Sequence, residues 1–347
     1  MAFVMMMGCY DDGDKMRLDD YLTNRCDDGR ISLAEAKVTR QLAEAAIAIT
    51  RLIRVSGIET DLGAETGGAN SDGDDQKALD VMAEEIIIEH LQNTAAAYVL
   101  SEEQDAPIAL SSDEAADAAS SQDQHMMVAI DPLDGSSNIA VNVTVGTIFS
   151  IMPCTNGPMP CRGRDQLAAG FFAYGPQTTL ILAFARDTAP QCFVLDERDG
   201  QFVAMDDLVR IPDHSNEYAI NAAYAAHWFS PVKSWMAEVL AGKEGAYSKS
   251  FRMRWVGSMV ADAWRIFRRG GVFLYPGDHR KGYENGRLRL VYEANPISFL
   301  TEKAGGRAVN GSDRILDLLP EDLHQRTALI FGSAAEVDHL IAFHRNE

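Results

Sequence analysis

The stretch IDPLDGSSN, from Ile130 to Asn138, contains the residues best suited to chemistry. Asp131 and Asp134 stand three positions apart, and Pro132 between them has no backbone N–H to extend a strand ladder. We therefore expect a strand to end at Asp131 and the chain to turn, so that both carboxylates converge on one point. A structural turn needs at most one aspartate and the glycine, so the second aspartate indicates a functional site.

The three residues after this pair are suited to binding a phosphate. Gly135, Ser136 and Ser137 offer consecutive backbone N–H groups with small side chains, at a place where we expect a helix to begin. Carboxylates beside a phosphate repel it unless a cation lies between them. Mg²⁺ prefers carboxylate and phosphate oxygens, so the stretch predicts a magnesium-assisted phosphate site.

Other acids in the sequence could complete such a metal site. Taken singly, each of them is more often a surface residue or a helix cap than a ligand. None of the eight histidines stands in a metal-ligand cluster, which disfavours zinc. The further candidates are Asp74, Asp80, Glu102, Glu103 and Glu293.

Helices and strands alternate around these residues. Ser32 and Glu35 have the spacing of a capping box, and apolar residues then recur at helical spacing until Gly57. Residues 57–75 are rich in glycine and acids and predict a mobile surface loop, after which helical spacing returns over Ala78–Leu91. Mixed strands and helices in both halves predict layered α/β sheets, with a domain boundary near residue 208.

Composition limits the possible partners. The chain has 347 residues, and its 51 acidic against 31 basic residues give a formal charge of −20. This charge opposes nucleic acids and anionic membranes, and no apolar run approaches the roughly 20 residues that span a bilayer. We expect neither nucleic acid nor membrane as a partner.

The cysteines and the N-terminus favour a cytoplasmic protein. Five cysteines form no CxxC pattern, and MAFVMMM is too short for a secretory signal. Cys154 and Cys161 flank a loop rich in glycine and proline, so they are either a redox pair or two incidental thiols. We interpret the first 15 residues either as a mobile extension or as a misassigned start.

Several motifs together carry a family resemblance, and they occur in one order along the chain. They are GDDQKALD at 73–80, SEE at 101–103, DPLDGSSN at 131–138, VGTIF at 145–149, VGSMVAD at 256–262, GGVFLYP at 270–276 and RLRLVYEANP at 287–296. With them the chain resembles the class I fructose-1,6-bisphosphatases of bacterial type, within the magnesium-dependent, lithium-sensitive sugar and inositol phosphatases. The resemblance extends from about Ser32 to the C-terminal helix.

This resemblance implies a layered α-β-α-β-α fold with two mixed-sheet domains and helices packed between and outside them. Residues 1–30 would be an N-terminal extension and lead-in, 31–208 the domain with the metal and phosphate motif, and 209–347 a sugar-phosphate-binding domain. Two or three Mg²⁺ ions would bind to Glu102, Asp131, the Leu133 carbonyl, Asp134 and Glu293. Mn²⁺ would be able to replace Mg²⁺ there. Asp80 and Glu103 would activate the attacking water. Asp74, the third catalytic candidate, would help to hold the metal ions when the mobile loop closes.

The resemblance also implies how a sugar bisphosphate would bind. The 1-phosphate would meet Gly135, Ser136 and Ser137. The 6-phosphate and the sugar would be held by Asn221, Tyr224, Tyr275 and Arg287. Arg254 would reach in from a neighbouring subunit, which implies a homo-oligomer, expected to be a homotetramer.

The reaction implied is hydrolysis of the 1-phosphate of fructose 1,6-bisphosphate, in gluconeogenesis or the Calvin cycle. The alternatives are sedoheptulose-1,7-bisphosphatase or dual activity, another sugar or inositol phosphatase, and a catalytically silent sugar-phosphate-binding protein on the same fold.

Three departures from the family pattern bear on these alternatives. Arg287 stands where many members have lysine, and Trp255 where many have a tyrosine, so a hydroxyl is lost. ISLAE, His125-Met126 and Pro153 replace the AMP-site residues of animal enzymes. We therefore expect AMP inhibition to be weak or absent.

Overall fold

A computed structural model describes residues 15–55, 65–69, 75–110, 126–155, 157–205 and 208–345. Its helices are α1 Leu18–Asp27, α2 Leu33–Val55, α3 Ala78–Leu91, α4 Ser230–Ala241, α5 Met259–Arg269, α6 Asn295–Lys303 and α7 Ala334–Arg345. A π-helical turn, Leu290–Ala294, directly precedes α6. Among these described helices, none has both the length and the apolar character needed to cross a membrane.

The strands of the first half are β1 Glu65–Ala69, β2 Asp75–Lys77, β3 Ala96–Ser101, β4 Ile108–Ala109, β5 Met126–Asp134, β6 Val145–Pro153, β7 Ala168–Tyr174, β8 Thr178–Phe184, β9 Gln191–Asp196 and β10 Gln201–Ala204. Those of the second half are β11 Glu217–Ile220, β12 Arg252–Met253, β13 Val272–Tyr275, β14 Leu288–Arg289, β15 Arg307–Val309, β16 Arg326–Thr327 and β17 Leu329–Gly332.

Two mixed sheets organise the described residues. The larger has eight strands in the order β10-β9-β8-β7-β6-β5-β3-β4, in which β3 and β5 are parallel and the other pairs antiparallel. The smaller has five strands in the order β12-β11-β13-β17-β15. Two short pairs, β1-β2 and β14-β16, lie outside them. The division into domains near residue 208 stays a prediction.

The sheets and helices stack in five layers. Helices α1 to α3 cover one face of the larger sheet, and α5 and α6 fill the space between its other face and the smaller sheet. Helices α4 and α7 cover the outer face of the smaller sheet. Each sheet thus buries both faces, which explains its long runs of apolar residues. The predicted α-β-α-β-α fold is confirmed.

The local predictions succeeded where the apolar spacing was regular. The capping box at the start of α2 is present, because Ser32 N donates to Glu35 Oε2 at 2.7 Å and Glu35 N donates to Ser32 Oγ at 3.1 Å. Residues 57–75 are predicted as a loop throughout, but Glu65–Ala69 within them form β1, which pairs antiparallel with β2. Helices α1 and α4 were not predicted.

A buried polar group fixes α1 to the larger sheet. Asp187 Oδ2 accepts hydrogen bonds from Tyr21 Oη at 3.1 Å and from Phe184 N at 2.9 Å, while Arg25 Nη2 lies 3.3 Å from Asp187 Oδ1. The Asp187 side chain is 1% exposed. Its loss would leave both Tyr21 and Arg25 without this partner.

Replacing Asp187 therefore destabilises the protein more than replacing a surface acid. We expect Asp187→Ala to lower the free energy of unfolding by about 2–4 kcal/mol, and Tyr21→Phe by about 1 kcal/mol. Urea denaturation measures both. Asp338→Ala, which removes an exposed partner of Arg307, is the matched control and should change stability far less. Equal losses in the Asp187 and Asp338 variants would contradict this interpretation.

Candidate active site

A β-bulge brings the two aspartates of IDPLDGSSN together. Strand β5 does not end at Asp131, as predicted, but continues to Asp134. Asp131 pairs with Ile148 and Asp134 with Gly146, so the two residues between the aspartates oppose the single residue Thr147. Residues three apart in a regular strand point to opposite faces. The extra residue returns Asp134 to the same face as Asp131.

The bulge suits the residues that form it. Pro132 has no N–H to lose, and its carbonyl accepts a hydrogen bond from Thr147 Oγ1 at 2.8 Å. Leu133, in the bulge, donates its N–H to Asp131 Oδ1 at 3.0 Å. Both aspartates are nearly buried, with 5% and 8% exposure.

Asp134 is also tied to the start of α5. Its Oδ2 accepts hydrogen bonds from Ser258 Oγ at 3.1 Å and from Val260 N at 2.9 Å. Gly135 follows with a φ of +76° and caps a short 3₁₀ helix, Ser136–Val141. A side chain at Gly135 would meet the Ser258 Cβ at 2.9 Å, so only glycine fits this approach. The prediction that a helix begins here is confirmed.

Three further elements deliver the other acids. Glu102 follows β3, and its N–H donates to Ile130 O of the parallel strand β5 at 3.1 Å. Asp80 is buried in the first turn of α3. Glu293 lies on the π-helical turn and accepts a hydrogen bond from Arg289 N at 2.6 Å. Asp74 lies outside the described residues.

These acids form one cluster. Carboxylate oxygens of Asp131, Asp134 and Glu293 lie within 4.8 Å of one another. The pKa of Glu102 is raised well above its usual value by burial and by the charges of Glu293, Glu103, Asp134 and Asp80. Burial and neighbouring carboxylates likewise raise the pKa of Asp131.

Burial also raises the pKa of Glu293 to about 7 and that of Asp134 to about 6, against the opposing effect of their hydrogen bonds. Both groups are therefore harder to ionise than free carboxylic acids.

A buried arginine partly offsets this charge. Arg289, whose side chain is 4% exposed, has its Nη2 3.8 Å from Glu102 Oε1. One guanidinium cannot balance Glu102, Asp131, Asp134 and Glu293 when all four are ionised. Sequence reasoning missed Arg289, although a charged residue within the apolar run RLRLVY was a signal for it.

The donor set of the cluster fits a hard divalent cation. Its side chains offer only carboxylate oxygens, which Mg²⁺ and Mn²⁺ prefer, and no histidine or cysteine belongs to the described cluster. A bound cation would supply the positive charge that the buried acids lack. The cluster is therefore a candidate metal site.

A cavity of about 540 Å³ extends from this cluster across to the smaller sheet. Its walls also include Trp255, whose ring stacks on Phe273 with centroids 5.6 Å apart. Ser258 lines the cavity as well, and the sequence analysis did not identify it as a site residue. Seven predicted site residues line it, namely Asp134, Gly135, Ser136, Ser137, Asn221, Tyr275 and Arg287.

Two predicted substrate residues lie outside this cavity. Tyr224 lines a narrow adjoining pocket that shares Asn221 and Tyr275 with it. Arg254 follows the edge strand β12, with its side chain 46% exposed and its Nε 3.9 Å from Glu217 Oε1. The fold does not bring Arg254 into the cavity of its own subunit.

The cysteines in the described part of the chain are free thiols. Burial raises the pKa of the Cys154 thiol, and burial together with Asp165 raises that of Cys161 to about 11. A thiol with so high a pKa is a poor nucleophile at neutral pH. This supports two incidental thiols over a redox pair.

Comparison with known proteins gives one consistent family. The family model "Fructose-1-6-bisphosphatase, N-terminal domain" matches residues 30–207, and the corresponding C-terminal model matches residues 211–345. The chain is 47% identical to "Fructose-1,6-bisphosphatase class 1 2" of Xanthobacter autotrophicus, covering 92% of this chain and 95% of that protein. It is 46% identical to the class 1 enzyme of Sinorhizobium medicae, covering 94% and 93%.

Solved structures agree with these matches. The holo form of Leishmania major fructose-1,6-bisphosphatase has a TM-score of 0.85 and 29% identity, covering 96% of this chain and 99% of that one. Its apo form has a TM-score of 0.80 and 26% identity, covering 96% and 100%.

The close packing of carboxylates in the cluster predicts how a bound metal, or the loss of one negative charge, affects thermal stability. We expect Mg²⁺ to raise the melting temperature of the EDTA-treated protein. Asp131→Asn should raise the melting temperature of the metal-free protein by roughly 2–4 °C for each kcal/mol of repulsion that it removes. The same substitution should abolish the increase in melting temperature caused by Mg²⁺. Differential scanning calorimetry measures both.

The exposed Asp213→Asn is the matched control and should respond to Mg²⁺ as the wild type does. A wild-type melting temperature that is the same with Mg²⁺ and with EDTA would show that the cluster binds no metal.

Proposed function

The chain belongs to the fructose-1,6-bisphosphatase family, and from this premise we propose that it hydrolyses the 1-phosphate of fructose 1,6-bisphosphate to give fructose 6-phosphate and phosphate. One observation supports this most. The 540 Å³ cavity has a buried acidic cluster at Asp134 and also carries Asn221, Tyr275 and Arg287, which suit a second, distant phosphate.

We propose that the metal is Mg²⁺, with two or three ions per subunit, and that Mn²⁺ can substitute for it. The ligands would be Glu102, Asp131, the Leu133 carbonyl, Asp134 and Glu293. When bound, the metal supplies Lewis-acid stabilisation of charge on the phosphate and leaving oxygens. Arg289 and Ser258 would hold Glu102 and Asp134 in place through the contacts described above.

The protein's own groups would position the phosphate and move the proton. Backbone N–H groups of Gly135, Ser136 and Ser137 would bind the oxygens of the 1-phosphate. A water attacks phosphorus in line with the leaving sugar oxygen, and Asp80 or Glu103 accepts the proton that this water loses. The bond from phosphorus to the sugar oxygen breaks, and that oxygen takes up a proton from a solvent water, so that the sugar leaves as fructose 6-phosphate. The carboxylic acid then returns its proton to the solvent.

The 6-phosphate and sugar would be held at the other end of the cavity. Asn221, Tyr224 and Tyr275 would donate hydrogen bonds, and Arg287 would contribute a fixed positive charge. Trp255 contributes no hydroxyl. Binding of the 6-phosphate would thus depend more on Asn221, Tyr224, Tyr275 and Arg287.

We further propose a homotetramer in which Arg254 completes the site of a neighbouring subunit. The 46% exposure of its side chain is compatible with such a contact. The cytoplasmic location stays a prediction of the sequence, as does insensitivity to AMP.

The direct test is phosphate release by the purified protein. We expect rapid release from fructose 1,6-bisphosphate with Mg²⁺, none with EDTA, and little change with AMP. Comparable release from sedoheptulose 1,7-bisphosphate would add a second substrate. No release from either sugar by the folded protein would contradict the proposed function.

Removing the proposed proton acceptors should slow the reaction more than it weakens binding. We expect Asp80→Asn and Glu103→Gln each to lower kcat by about 10²–10⁴-fold with little change in KM. Steady-state kinetics with fructose 1,6-bisphosphate measures both constants. Glu89→Gln, an exposed change on the same helix as Asp80, is the control. Full activity of the Asp80 and Glu103 variants would show that other groups take the proton.

A further inference from the structure

Four side chains beside the cavity form one stack of alternating rings and guanidinium groups. The Arg280 Cζ lies 3.7 Å from the ring centroid of Tyr224 and 4.6 Å from that of Tyr283. The Arg287 Cζ lies 5.7 Å from the same Tyr283 ring. All three separations are within the roughly 6 Å over which a ring attracts a cation. We call Tyr224, Arg280, Tyr283 and Arg287 the Tyr–Arg stack.

The ends and the middle of the stack differ in their predicted roles. Its ends, Tyr224 and Arg287, are residues proposed to hold the distant phosphate and the sugar. Its middle residues, Arg280 and Tyr283, belong to the loop between β13 and β14 and have no role in the reaction proposed above. The stack therefore joins two binding residues that come from separate elements.

The guanidinium in the middle of the stack is held firmly. Arg280 Nε and Nη2 donate to the Asp278 carboxylate at distances between 2.6 and 3.0 Å. Asp278 is 3% exposed. A planar guanidinium bound in this forked way by a buried carboxylate has little freedom to rotate.

The loop that carries the stack is also fixed. Asp278 N donates to Tyr283 O at 3.0 Å, which closes the loop on itself. His279 N donates to His227 O at 3.0 Å, and the His279 ring packs on Phe229 with centroids 4.6 Å apart. The segment 227–229 follows directly after the turn that carries Tyr224. Loop and turn therefore hold each other in position.

Arg280 is placed to act through Tyr224 and not by touching a phosphate. It lines the narrow pocket that shares Asn221 and Tyr275 with the large cavity. This narrow pocket has a volume of about 10 Å³, room for roughly one water. A phosphate group does not fit inside this pocket, so Tyr224 would contact a phosphate in the large cavity only where the two spaces meet, at Asn221 and Tyr275.

We propose that Arg280 and Tyr283 are positioning residues that fix Tyr224 and Arg287 for the phosphate remote from the reaction. By ordering these two side chains before the substrate arrives, the stack lowers the entropy cost of binding that phosphate. It thereby sets the preference for sugars that carry a second phosphate. This inference rests on the proposed function.

The test compares two ligands that each occupy one end of the cavity. Fructose 6-phosphate carries only the remote phosphate, whereas inorganic phosphate is the product formed at the reacting end. We expect Arg280→Gln and Tyr283→Leu to raise the KM for fructose 1,6-bisphosphate and the inhibition constant of fructose 6-phosphate by about 5- to 20-fold. The inhibition constant of inorganic phosphate and kcat should change by less than about two-fold.

Matched variants separate the stack from general damage. Tyr283→Phe keeps the ring and should retain wild-type constants, and Arg280→Lys keeps the charge without the fork and should give an intermediate KM. Arg314→Gln removes an arginine that is paired with Glu302 outside the cavity, and it should change nothing. Circular dichroism confirms that each variant is folded.

Unchanged constants for fructose 6-phosphate in both Arg280→Gln and Tyr283→Leu would overturn the inference. Equal changes for fructose 6-phosphate and inorganic phosphate would also overturn it, since they would indicate a merely structural role. If the wild type releases no phosphate, the proposed function fails by itself. Calorimetric titration with fructose 6-phosphate then still decides whether the stack orders the remote site.

Discussion

Repulsion among buried carboxylates is the constraint on which the rest of this structure depends. Asp131, Asp134 and Glu293 are nearly buried and hold oxygens within 4.8 Å of one another, with Glu102 beside them. Like charges so close together in a region of low dielectric oppose ionisation strongly. When all of these acids are ionised, the arrangement is favourable only with compensating positive charge. Arg289 supplies part of that charge, and the proposed metal would supply the remainder.

Much of the surrounding fold can be understood as holding these acids together. The β-bulge turns two aspartates of one strand to the same face, and the parallel neighbour β3 delivers Glu102 at the same edge. The start of α5 donates to Asp134, and the π-helical turn aims Glu293 from the opposite half of the chain. Because strands of the larger sheet, the start of α5 and the π-helical turn all contribute, these elements must pack in one position. The core shared by the two sheets is therefore also the support of the site.

The sequence predicted the layered fold and most of the regular elements because their apolar residues recur at clear spacings. It failed where the spacing was uninformative. Helix α1 is polar except for a few buried residues such as Tyr21 and Leu22, and it is held by a long-range contact with Asp187 that no local pattern reveals. Strand β5 was predicted to end at Asp131 because a proline normally interrupts a strand, whereas here the proline sits in a bulge.

The residues of the site were predicted unevenly for a similar reason. Those in compact motifs, such as Asp131 and Asp134, could be identified because two acids and a glycine in one turn have few structural explanations. Arg280 and Tyr283 could not be identified in the sequence, because their proposed positioning role depends on rings and charges that stack only after the chain has folded. The family membership supports the proposed reaction, and the cluster and cavity explain how these residue types could perform it.

The central claim is that the buried carboxylates form a divalent metal site. The most direct test is a crystal of the protein grown with Mn²⁺, with anomalous diffraction recorded at the manganese absorption edge. The account predicts anomalous peaks at about 2.0–2.5 Å from oxygens of Asp131, Asp134 and Glu293. Manganese bound elsewhere, or no peak at these residues in a protein that still releases phosphate, would contradict it.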